Sequence, residues 1–178
     1  MTKRLALILV TFFALVSVPV MAESYDLTMG PFKIKFDTVQ ALDTRTEPPV
    51  AFEKFTGYPV TLWPTDESAK GMISLKIQEY NSEIYVSDSA LRDAIKEEAS
   101  VVFSAYPITY LPKTIDGRPG EVGTIKTENG DTVIFAAYSP DGTGISGKVL
   151  VLVYASPFEG APTENGDMFL STLKIQRA

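Results

Sequence analysis

The sequence predicts an α+β domain built on an antiparallel β-sheet with helices on both faces, a three-layer α/β/α sandwich. Two runs carry that expectation: Val133–Tyr138 and Val149–Ala155 are apolar almost without interruption. A strand with no polar side has both faces covered, and helices are the covers this chain offers. Turn residues make the two runs antiparallel neighbours. Asp141-Gly142-Thr143-Gly144 turns the first run into Ile145–Ala155, and Asn129-Gly130, a strong hairpin signal, joins Gly123–Thr127 to Thr132–Tyr138 before it.

Earlier in the chain the strands are of another kind. Phe32, Ile34 and Phe36 alternate with Lys33, Lys35 and Asp37, and Ile73, Leu75 and Ile77 alternate with Ser74, Lys76 and Gln78. A period of two describes strands with one wet face. Tyr58–Trp63 is a third β-rich run, joined to the next by the polar stretch Thr65–Gly71. Ala41–Val50, with Pro48-Pro49 and several polar residues, is expected to be a surface loop. A first helix is expected after the cap oxygens of Ser87-Asp88-Ser89, because Leu91, Ala94, Ile95, Ala99, Val102 and Phe103 recur at helical spacing. A second is expected to start near Asp167 and to carry Phe169, Leu170 and Leu173 before the sequence ends. The word Thr-Glu-Asn-Gly-Asp occurs at Thr127–Asp131 and again at Thr163–Asp167, too short to be a structural repeat.

The N-terminus has the parts of a secretory signal: Lys3-Arg4, an apolar run from Leu5 to Val18, the breaker Pro19, and the exit Val20-Met21-Ala22. Residues 1–22 are therefore expected to be a signal peptide, and 23–178 a single domain of a secreted or extracytoplasmic protein. The competing reading, a retained membrane anchor, gives Pro19 and the small residues of the exit no purpose. At about 150 residues the mature chain can bury a core unaided. It must do so, because Cys is absent and no disulfide contributes. The net charge of −6 becomes −8 once Lys3 and Arg4 leave. Such a surface repels nucleic-acid phosphates and anionic lipid, so neither nucleic acid nor a membrane is an expected partner after export.

His is absent as well. Ser-His-Asp catalysis, zinc and haem sites of the usual kind and iron–sulfur clusters all lose their ligands. No Walker phosphate loop or dinucleotide fingerprint is present, so no cofactor is expected. A glycosidase-like carboxylate pair remains chemically open. Glu128–Asp131, Asp141-Gly142 and Glu164–Asp167 offer the oxygen atoms that Ca²⁺ prefers, but hairpin turns and helix capping account for them. Trp63, Tyr80, Tyr85, Tyr106, Tyr110 and Tyr138 could line a ligand groove. Among these, Trp63 is the ring most expected at the surface, beside Pro64 at a strand end. In Ile115–Gly120, Gly117 and Pro119 shape a turn that would carry Asp116 and Arg118 at its tip. Trp63, Asp116 and Arg118 are the candidate partner contacts, and no catalytic, cofactor-binding or metal-binding residue is assigned.

The second half also resembles a known family. A helix leads to Ile108-Thr109-Tyr110 and then to Ile115-Asp116-Gly117-Arg118-Pro119-Gly120. A hairpin with Tyr138, the apolar Val149–Ala155 strand and Leu170-Ser171-Thr172-Leu173-Lys174-Ile175 follow. From Asp88 to Gln176 this order is similar to the PsbP-like superfamily, whose founding members are extrinsic proteins of photosystem II. The opening Leu27–Ile34 resembles small exported archaeal proteins. The first resemblance implies a sheet between helices and a non-catalytic protein that docks on other proteins. That family's metal-binding His positions have no counterpart here. The expected function is thus an exported, non-enzymatic binding or assembly module acting by contact with another envelope or extracellular protein. A carboxylate-based hydrolase of extracellular polysaccharide and a small-ligand-binding protein are the alternatives.

Overall fold

The computed structural model describes residues 22–66 and 68–178, and the expected signal segment lies outside them up to Met21. Two sheets form. The smaller orders β1 (Glu23–Met29), β2 (Phe32–Thr38) and β11 (Lys174–Arg177) as β1-β2-β11. The larger is built from β3 (Leu42–Thr46), β5 (Phe55–Pro64), β6 (Ile73–Val86), β7 (Thr109–Ile115), β8 (Arg118–Lys126), β9 (Thr132–Tyr138) and β10 (Ile145–Ala155). Its order is β3-β5-β6-β10-β9-β8-β7, with the short β4 (Val50–Ala51) also pairing β5. Every pairing is antiparallel. The helices are α1 (Asp88–Phe103) and α2 (Glu164–Thr172).

The expected α/β/α sandwich does not form. Strand takes 54% and helix 16% of the described structure, in only two helices, so the fold is β-rich and its layers are not helix–sheet–helix. The burial on which that expectation rested is nonetheless present. Val149, Val151 and Val153 face one core while Leu150 and Leu152 face another, all nearly inaccessible to water. The error lay in what covers the second face. On the inner face the large sheet meets the small sheet, with Phe32, Ile34, Phe36 and Ile175 packed on Leu75, Ile77, Val151 and Val153, and α2 adds Phe169 and Leu170 beside them. A nine-residue helix is about 14 Å long and cannot cover such a sheet alone, so strands do most of the covering.

The outer face carries α1. Ser87 caps it, its hydroxyl accepting from Ala90 N at 3.2 Å. Leu91, Ile95 and Ala99 seat the helix on Ile125, Val133, Phe135 and Ala137. Gly123 permits the approach, since a Cβ there would stand 2.8 Å from Ile95 Cγ2. A nearly buried carboxylate, Glu121, is paired to α1 through Arg92 Nη2 at 2.9 Å, while its second oxygen has no partner.

Two local expectations also change. Part of the Ala41–Val50 loop is strand, because Leu42–Thr46 pairs with Val60–Pro64 and buries Leu42; its other side chains face water and conceal the pattern. The last helix starts three residues before Asp167 and stops at Thr172. Beyond Leu173, whose ψ of 130° is extended, Lys174–Arg177 pairs with β2. The open hydrogen-bonding edge of β2 thus captures a segment whose apolar spacing suited either structure.

Candidate functional site

A helix is about 10–12 Å wide and strands lie ~4.8 Å apart, so one helix shields two or three strands. The large sheet has seven in its main order, and α1 lies over β8 and β9 and reaches β10. The outer face of β6, β5 and β3 is left open. Register fixes what it presents. Arg45, Thr61, Ser74 and Tyr154 form one row across the sheet, and Pro59, Lys76 and Leu152 the next. Val50, Gly57, Gln78 and Leu150 form a third, and Phe55 lies opposite Tyr80 in a fourth. Asp43 pairs with Trp63 at the far end.

This shelf is not an ordinary solvated sheet face. Phe52, Phe55 and Tyr80 meet in sequence as tilted ring pairs, with centroids 4.6 and 5.3 Å apart. Seven large apolar residues are exposed among those described, and Val50, Phe52, Val101 and Val102 border the shelf. Val101 and Val102 stand at the end of α1 beside Ser74 and Tyr154. Lys76 crosses to α1 and gives two bonds to the Glu98 carboxylate, at 2.8 and 3.0 Å. Burial, and then the charge of Glu97, push the Tyr80 phenol above its ordinary pKa, so it stays a neutral donor; its hydroxyl donates to Gln78 Oε1 at 3.1 Å. The shelf therefore combines apolar rings with hydroxyl, amide and charged groups along one plane.

Of the candidate contacts read from sequence, only Trp63 lies here, and it is half-buried. Asp116 and Arg118 lie at the β7–β8 turn, four to five strand spacings from the β5 strand of Trp63 and so roughly 19–24 Å across the sheet, and the three do not form one site. Arg118 is exposed. Asp116 turns inward: Oδ2 accepts from Ile175 N at 2.9 Å, and Oδ1 faces Lys174 Nζ at 3.3 Å. Those bonds hold it at φ +52°, the left-handed region. Its role is to fasten β11 to the β7–β8 turn.

The other rings separate too. Tyr138 is fully buried in the inner core. Tyr85 is exposed at the end of β6. Tyr106 and Tyr110 line a cleft of ≈ 320 Å³ with Phe103, Ile108 and Lys96 beneath the last turns of α1. Two hydroxyls of that cleft are engaged locally, Ser100 with Glu97 O and Tyr110 with Arg92 O. The acidic turns also serve the backbone. Asp141 Oδ2 accepts from Lys148 N and Val149 N at 2.7 and 3.0 Å, closing the bulge in β10. Among the described residues no group of three or more acidic side chains gathers as a metal site would require.

Sequence reasoning missed Phe52, Phe55, Thr61, Lys76 and Gln78 as members of one surface. The alternation of β6 had marked Ser74, Lys76 and Gln78 as outward, but which outward faces stay uncovered is set by the width of α1. Compared with known protein families, curated proteins and solved structures, the chain matches none.

Proposed function

We propose that this chain is an exported, non-enzymatic binding module that acts by contact with another protein, through the half of the outer sheet face beside α1. One observation carries the reading: exposed apolar side chains, normally scattered singly on a soluble protein, gather along this shelf. Flat apolar rings set among polar groups suit a protein surface with a dry centre and a wet rim.

A photo-crosslinking side chain at position 61, in the middle of the shelf, tests the proposal in native envelope material. A control carries it at Lys126, exposed at the end of β8. The expected result is one discrete crosslinked protein from position 61 and none from 126. Equal capture from both positions, or none from 61, refutes the contact role.

A further inference from the structure

The reading of the shelf as a protein-contact face leaves open what it grips, and one feature limits the answer. Gly57 lies on the outer face of β5 between Phe55 and Pro59, buried under the Phe52 and Phe55 rings, and a cleft of ≈ 220 Å³ opens beside it. Phe52, Phe55 and Pro59 wall it, and Lys76 and Gln78 close its inner side. Phe52 leans over the opening with 53% of its surface exposed, against Phe55 at 4.6 Å. Such a recess takes one apolar side chain, the kind of anchor that dominates contact energies.

The glycine is not required by the backbone. Its φ lies outside the left-handed region, and a Cβ would meet Phe52 Cε2 at 3.4 Å, Val50 O at 3.7 Å and Phe55 Cε2 at 3.8 Å, all ordinary contacts. Gly in a strand interior forgoes packing and adds unfolded-state entropy. The rings of Phe52 and Phe55 cover the glycine, so the room for an inserted side chain is the cleft beside them, with the half-exposed Phe52 at its mouth.

Charge narrows the occupant. Lys76 is neutralised by Glu98, and Arg45 lies 3.8 Å from Glu47. That leaves Asp43, Glu53 and Glu97 against Lys54 without an ion pair along the shelf, among the described residues, on a chain of net charge −6. From Phe55 to Trp63 the shelf runs roughly 26 Å, the length of eight or nine extended residues. Resting on the contact reading above, we infer that the shelf binds an extended, basic peptide segment. One apolar side chain enters the cleft beside Gly57 and Phe52, and Lys or Arg residues on either side meet the acidic rim.

The test selects binders from a displayed library of random nonapeptides against the purified protein. The best synthetic peptide is then titrated by Trp63 fluorescence, Trp63 being the sole tryptophan. Enriched peptides should share one apolar residue flanked by Lys or Arg, and binding should weaken with salt. Gly57→Val, which displaces the exposed Phe52 ring into the cleft, should weaken binding about tenfold with a melting temperature no lower than that of the parent. Gly57→Ala, whose added methyl group fits, should weaken it less and guards against a folding defect in the valine variant. Acidic or absent consensus peptides, or equal affinity in both Gly57 variants and the parent, overturn the inference. So does a neutral oligosaccharide, chitohexaose, displacing the peptide. If Gly57→Val leaves the position-61 crosslink intact, the anchor is wrong and the contact face stands; if position 61 captures nothing in the parent, the contact reading itself fails.

Discussion

Tyr138 heads the fully buried side chains by volume, and its hydroxyl has no hydrogen-bond partner. The Asp116 carboxylate lies close enough to act on it, but no bond between them meets hydrogen-bond geometry. Burial first, and the Asp116 charge after it, push the phenol far above its ordinary range. A buried donor with no acceptor costs free energy that a ring without the hydroxyl does not. Tyr138→Phe should therefore raise stability by about 1 kcal/mol, read as a higher midpoint in urea. The pH dependence has a definite sign. In the unfolded chain tyrosine ionises near pH 10, while the folded chain keeps this proton to higher pH. Above about pH 10 the unfolded state holds fewer protons, so stability falls as pH rises; below that it is unaffected by this group. Tyr58, Tyr80, Tyr110 and Tyr154 are also raised, chiefly by burial, and add to the loss. Titration from pH 9 to 12 should show a shallower decline for Tyr138→Phe than for the parent.

Among the elements, α2 shows how placement overrides local preference. The word Thr-Glu-Asn-Gly-Asp is a hairpin turn at 127–131, where Gly130 has φ +83° and Asn129 is exposed. At 163–167 the same five residues begin a helix, with Asn165 fully buried. The difference lies in what the second Asn meets. Asn165 Oδ1 accepts from Val39 N at 2.8 Å and Gln40 N at 3.2 Å, and Thr172 Oγ1 accepts from Asp37 N at 2.8 Å. These bonds cap the end of β2 with the two ends of α2. Asn165→Ala strands two backbone donors and should cost about 2 kcal/mol, measured by chemical denaturation. The equivalent change Asn129→Ala, in a solvated turn, should cost much less.

At the scale of the whole molecule, a fold with eleven strands among its described residues must protect its sheet edges. β7 ends the large sheet and carries Pro112 opposite Glu121 in the β8 register. A proline in an edge strand removes a donor that another chain could otherwise pair with. At the other edge Pro48 and Pro49 separate β3 from β4. Leu111, beside Pro112, is 58% exposed, so an apolar side chain stands next to the position where that donor is missing. Pro112→Val should leave the melting temperature near that of the parent and increase self-association, seen as a concentration-dependent rise in light scattering.

By itself the sequence determined the strands that alternate or run apolar, the capped helix at Ser87, the hairpin at Asn129-Gly130 and the double-sided burial of Val149–Ala155. Each is written in neighbouring residues, through side-chain period, turn chemistry or a capping hydroxyl. Only the tertiary structure decided that a second sheet, rather than a second helix layer, covers the inner face. Lys174–Arg177 became a strand because β2 offered it an edge, and Leu42–Thr46 because β5 did. The candidate surface was illegible for the same reason. Thr61, Lys76 and Phe55 are unremarkable along the chain, and they form a shelf because one narrow helix cannot span a sheet seven strands wide.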